Sequence, residues 1–136
     1  IHCNPGFIYP NDKKKEIYVL MKHAKESEVL TKRRLNGLSK LDILYKKNDK
    51  EVQALRPPLS MLMDHIDYIV KLVGVDYVGL GSDFDGINLT PKQLDDVTTY
   101  PIITKALVDR GYNEKDIVKI LGSNFIRVLK ANEVNN

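Results

Sequence analysis

At 136 residues the chain fits one domain, and its 43% apolar content supports a modest core. A formal charge of +3, from 21 basic against 18 acidic residues, is too even to imply nucleic acid as a partner. The lone cysteine excludes an internal disulfide framework and any cysteine-based zinc finger, and no apolar run approaches the ~20 residues of a membrane span. The basic excess is local, in Lys13-Lys14-Lys15, Lys32-Arg33-Arg34 and Lys46-Lys47, with acidic residues between, which reads as solvated helix faces. There is no signal-peptide pattern, but the chain opens on Ile1, so the compartment is left unassigned.

In chain order, residues 1–4 read as the tail of a strand stopped by Pro5-Gly6, with Cys3 as a buried structural thiol. From Lys13 the pattern turns helical, with Ile17, Leu20, Met21 and Ala24 on one stripe. Residues 31–53 are polar, basic and weakly periodic, and read as helical pieces with turns near Asn36-Gly37 and Asn48-Asp49. Pro57-Pro58 announces a new helix with Ser60 as a candidate cap, and Leu62, Ile66, Ile69, Val70 and Val73 form its buried stripe. Gly74 stops that helix.

A strand is predicted over residues 77–82. Residues 1–82 would then form one β-α-β crossover with an enlarged helical connection. Beyond it, Lys92 to Val97 suggests a short helical turn, and Thr99 caps a helix with Pro101 in its first turn, ending at Gly111. Asn113 and Asp116 have the spacing of a capping box, and Ile117, Ile120 and Leu121 continue to Gly122. A last helix carries Phe125, Ile126, Val128 and Leu129.

The stretch Val75-Asp76-Tyr77-Val78-Gly79-Leu80-Gly81-Ser82-Asp83-Phe84-Asp85-Gly86 carries the candidate chemistry. Period-2 alternation puts Tyr77, Gly79, Gly81 and Asp83 on one face, expected inward, and Val78 and Leu80 on the other. Glycine weakens a strand unless something must approach its backbone closely, so this face suggests a site rather than a core. A dinucleotide fingerprint fails because Phe84 occupies the third glycine position, and a calcium loop fails for want of spaced ligands. Asp85-Gly86 reads as an ordinary turn. Asp83 stands out as a carboxylate at the C-terminal end of a parallel strand, where α/β sites lie.

None of the pairs among His2, His23 and His65 has helical zinc spacing. His65 reads as a hydrogen-bonded histidine at the edge of the core, and His23 as helix surface. The tyrosines form no stacking stripe, and there is no P-loop or nucleophile elbow.

Asp64-His65-Ile66-Asp67-Tyr68-Ile69, followed by the Gly74 to Ile87 block with its Gly-Ser-Asp-Phe-Asp-Gly core, resembles the membrane (renal) dipeptidase family of zinc peptidases. Leu94-Asp95-Asp96-Val97, Tyr100-Pro101, Arg110-Gly111-Tyr112 and Leu121-Gly122-Ser123-Asn124-Phe125 extend the resemblance in the family's order over about residues 57–130. It implies an α/β fold, the C-terminal part of a (β/α)8 TIM barrel of metallo-dependent hydrolase type. Residues 1–136 would be a partial barrel domain, holding strands seven and eight with their helices and lacking the N-terminal barrel portion.

The resemblance implies two zinc ions, whose ligands all lie upstream, so no metal ligand is assigned within this chain. A zinc-bridging hydroxide would attack a dipeptide substrate. Asp83 would contact the reacting centre, binding substrate and shuttling a proton to the leaving amine. Gly79, Gly81, Asp85, Gly86 and His65 would be structural residues near the site. The segment alone would be inactive, a homodimer is one assembly the resemblance allows, and relatives are often exported or membrane-anchored. The alternative is a non-catalytic barrel relative that binds a small ligand or partner.

Overall fold

The computed structural model describes Cys3, residues 21–23, Ile43, residues 49–87 and residues 89–133. Apart from Cys3 and residues 21–23, the strand expected at 1–4 and the helix expected from Lys13 lie outside the described residues. Met21, placed on that helix's apolar stripe, is exposed. His23 is less of a surface residue than expected, since its ring lies 3.5 Å from the Glu51 carboxylate.

Helix α1 spans Asp49–Leu55. Two prolines then prevent its continuation, and Pro58, extended at φ −66° and ψ 150°, becomes the N-cap of α2, Leu59–Val73. Ser60 is therefore inside the helix, and no side chain caps this end. Leu62, Met63 and Ile66 are buried and Ile69 and Val70 pack at the margin, whereas Val73 is exposed. Gly74 ends the helix at φ 88°, a conformation costly for a residue with a Cβ, and its N–H donates to Val70 O at 2.9 Å.

The predicted strand over 77–82 requires correction. Val75–Tyr77 is a single 3₁₀ turn, Val78 is extended, residues 78–80 join no ladder, and Gly81 makes one isolated bridge. Among the described residues there is no regular strand. At the start of the segment, backbone groups that a ladder would use are engaged elsewhere. Tyr77 N and Val78 N close the turn onto Gly74 O and Val75 O, and the Asn124 amide donates to Val75 O and Val78 O, both at 2.8 Å.

A second 3₁₀ turn, Val97–Thr99, leads into α3, Tyr100–Asp109, with Pro101 in its first turn. Thr99 holds the N-cap position, but its hydroxyl donates back to Asp96 O instead of capping. Gly111, at φ 84°, turns the chain into α4, Glu114–Val118. Asn113 caps α4 as its spacing predicts: Asn113 Oδ1 accepts from Asp116 N at 3.0 Å, and its amide reaches the Asp116 carboxylate at 2.7 Å. A π-type turn, Lys119–Ser123, kinks at Gly122 and opens α5, Asn124–Asn132.

One core gathers these pieces: Cys3, Leu62, Met63 and Ile66 with Val78, Leu94, Ile103, Leu107, Ile117 and Ile120. Each large side chain removed from water contributes about 1.5–3 kcal/mol. The stripe of α5 behaves otherwise, since Phe125, Ile126, Val128 and Leu129 are all exposed and only Asn124 is buried.

Asn124 therefore ties α5 to the main body through two carbonyls. Asn124→Ala leaves both without that donor and is expected to cost about 1–3 kcal/mol. Denaturant unfolding checks this as a lower midpoint at unchanged slope. A loss below about 0.5 kcal/mol would show that solvent replaces the amide.

Candidate functional site

The site begins where the extended segment ends. Val78 and Ser82 are buried and Leu80 is partly so, while Gly79 is half-exposed and Gly81 and Asp83 are exposed. The period-2 partition therefore holds, but with the face reversed: in this chain the glycine and aspartate side looks outward. The aliphatic side packs on the core, because Val78 can bury surface and glycine cannot.

At Asp83 the backbone enters the left-handed region, φ 55°, which aspartate tolerates better than most residues. Asp83 O then accepts from Gly86 N at 2.9 Å, closing a β-turn over residues 83–86. Asp85 and Gly86 are thus turn residues. Gly86 has a further reason to lack a side chain, since a Cβ there would lie 2.5 Å from Asp83 Oδ1. The Asp83 carboxylate folds over the space that this glycine leaves open.

Ser82 and Phe84, on either side of Asp83, meet the same residue. Ser82 Oγ shares a hydrogen bond with the Tyr100 hydroxyl. The Phe84 and Tyr100 rings meet edge to face, centroids 6.2 Å apart and planes at 81°. Burial pushes the pKa of the Cys3 thiol up, an effect that the nearby Ser82 hydroxyl partly offsets. Asp83, Asp85, Asp96 and Val97 line a concavity of about 350 Å³ beside this turn. Hydrogen bonds from the Thr98 hydroxyl and backbone N–H hold the Asp96 carboxyl below its ordinary range.

Arg56 braces the loop that follows. Its guanidinium donates to Thr90 O at 2.9 Å, Thr90 Oγ1 at 3.1 Å and Pro91 O at 2.7 Å, and pairs with Asp95 at 2.7 Å. A separate cluster joins α2 to the end of α3. Arg110 bonds Asp64 at 2.6 Å and also Asp67, and Tyr112 donates to Asp67 at 2.8 Å. Burial, reinforced by the Asp67 bond, pushes the Tyr112 phenol up to about 12. His65 lies half-buried on α2.

The fold thus brings Asp83, Asp85 and Gly86 together in one turn, with Gly79 and Gly81 on the segment leading to it. Sequence reasoning missed Tyr100 and Ser82 as supports of that turn, and Arg56 as the brace of the loop after it. The pairing of Tyr100 with Ser82 crosses 18 residues and has no local periodic signal. Among the described residues no group of three or more His, Cys, Asp or Glu side chains is placed to hold a metal ion. The concavity's carboxylates come without a described histidine, so they do not fit a zinc centre by themselves. No helix among the described residues is long and apolar enough to cross a membrane.

The chain belongs to the membrane dipeptidase family (peptidase family M19), whose family model matches residues 19–136. That family is built on the barrel of metallo-dependent hydrolases and is generally zinc-dependent. The chain is 48% identical over 71 residues to Dipeptidase aclJ of Aspergillus oryzae, covering 52% of this chain and 17% of that protein. It is 37% identical over 84 residues to Dipeptidase verJ of Clonostachys rogersoniana, covering 62% of this chain and 22% of that one. Dipeptidase 3 of Mus musculus is 35% identical over 75 residues, covering 55% and 15%. The matched stretch therefore spans less than a quarter of each of these relatives.

Proposed function

We propose that this chain is the C-terminal segment of a zinc-dependent dipeptidase, in which it supplies one wall of the active site and Asp83 as the acid–base group. The observation that carries the reading is Asp83 itself, an exposed carboxylate in a left-handed turn within the family-matched region. Hydrolysis of a dipeptide adds water to the carbonyl carbon and breaks the C–N bond, so the departing amine must gain a proton. A carboxylate beside the scissile bond can take the proton from the attacking water and return it to that nitrogen. Zinc ligands are assigned to residues outside this chain.

Support for the segment reading comes from the surface. Tyr77 and Phe125 are 76% and 71% exposed, and with Val128 they line a largely apolar groove of about 360 Å³ beside Gly79. Exposed apolar surface of this kind marks a place where another element packs. In a barrel, the wall next to the last strand is the first β/α unit.

The complete protein is expected to hydrolyse simple dipeptides and to lose that activity when zinc is chelated, whereas purified residues 1–136 are expected to show none. Zinc-dependent turnover by the isolated segment would refute the segment reading. A folded, zinc-bound complete protein without turnover on a dipeptide panel would leave the non-catalytic alternative.

A further inference from the structure

We infer that Tyr100 is a positioning residue for Asp83, gripping the residues on both sides of it; this rests on the dipeptidase reading above. Asp83 holds a left-handed conformation at φ 55°, which fixes the direction of the chain on either side of it. Its own turn supplies one restraint, the Gly86 N–H to Asp83 O bond of 2.9 Å. That bond closes the turn but leaves open how the turn as a whole is tilted against the body of the protein.

Tyr100 removes that freedom at two points. Its hydroxyl bonds Ser82, the residue before Asp83, and its ring meets the edge of Phe84, the residue after. Tyr100 is the first residue of α3, and α3 is anchored through the fully buried Ile103 and Leu107. The grip therefore refers Asp83 to the core rather than to another loop. Ser82 is itself buried. Because Gly86 offers no Cβ, the Asp83 carboxylate can lie over it, and the tilt of the turn decides where the carboxylate faces. Tyr100 does not itself face the concavity that Asp83 and Asp85 line, so its effect on the reaction acts through Asp83.

The test uses the complete zinc-loaded protein and a double-mutant cycle of Tyr100→Phe with Asp83→Asn. Tyr100→Phe keeps the ring and removes the hydroxyl. It is expected to lower kcat about tenfold with KM within about twofold, since small displacements of an acid–base group cost turnover before binding. In the Asp83→Asn background the same change is expected to cost less than about twofold, because there is no acid–base group left to misplace. Ser82→Ala, which removes the same hydrogen bond from the other side, is expected to reproduce both results. Equal losses in the two backgrounds would mean a merely structural tyrosine and overturn the inference, as would a kcat within about twofold of wild type for both Tyr100→Phe and Ser82→Ala. If the wild-type complete protein hydrolyses no dipeptide, the functional reading falls and this inference falls with it.

Discussion

Asp83→Asn in the complete enzyme is expected to lower kcat on dipeptides by about 10²–10⁴, the range lost when general acid–base help is removed. The substitution is nearly isosteric, and asparagine tolerates the left-handed backbone at φ 55° at least as well as aspartate. The turn bond between Gly86 N and Asp83 O is a backbone bond and survives the change. The amide fits over Gly86 where the carboxylate lay, since both groups end in two heavy atoms of similar size. What disappears is the capacity to accept a proton and return it. Zinc content should be unchanged, because no metal ligand is assigned to Asp83, and KM should rise only severalfold through the lost charge. Turnover within a few-fold of wild type, with zinc still bound, would remove Asp83 from the chemistry.

The largest expected effect on stability is at Arg56. Its side chain is 9% exposed and spends its donors on Thr90 O, Thr90 Oγ1, Pro91 O, Gln53 Oε1 and Asp95. The ion pair is the weaker part, because the Asp95 side chain is 65% exposed and such pairs contribute about 0–1 kcal/mol. The carbonyls matter more, since each loses a charged donor when Arg56 is removed. Arg56→Ala is accordingly expected to cost about 2–4 kcal/mol, and Asp95→Asn less than about 1 kcal/mol. Water entering the adjacent cavity of about 220 Å³ would offset part of the larger loss, which argues against a higher figure. Arg56→Lys should recover little, because an ammonium cannot reach two carbonyls and a hydroxyl in the fixed geometry of the guanidinium fork. Chemical denaturation of the three variants checks the order; an Arg56→Ala cost below that of Asp95→Asn would mean that the carbonyl bonds contribute nothing net.

Both results bear on the same structure. Arg56 secures the loop at residues 90–95, and Tyr100 secures the turn at residues 82–84. The junction of α1 with α2 thus holds the loop at residues 90–95, and the start of α3 holds the turn that carries Asp83. Asp83 lies between them on a segment with no regular sheet pairing among the described residues. In the complete protein the missing support for that segment is proposed to be the rest of the barrel.

Much of this was legible in the sequence where the cause is local. Gly74 as a helix stop, Pro57-Pro58 as a boundary, Asn113 with Asp116 as a capping box and Asp85-Gly86 as a turn all rest on neighbours within four residues. Short-range sterics and hydrogen bonds decide such features whatever surrounds them. The family block around Asp83 was equally legible as a motif.

The extended segment was read less well. Its alternation predicts which residues share a face, and that held, but not which face the chain buries. Burial depends on what packs against each side, so in this chain the glycine and Asp83 face is outward and Val78 lies in the core. A ladder likewise needs a partner, and here Asn124, 46 residues further on, takes the Val78 carbonyl instead. The stripe of α5 fails for the same reason: Phe125 and Val128 are apolar at helical spacing, yet nothing described covers them. The sequence by itself determined the Gly74 stop, the Asn113 cap and the turn at Asp85-Gly86, because those are written in adjacent residues. Only the tertiary structure decided that Tyr100 holds that turn and Arg56 the loop after it, because such contacts depend on the packing of elements far apart in the chain.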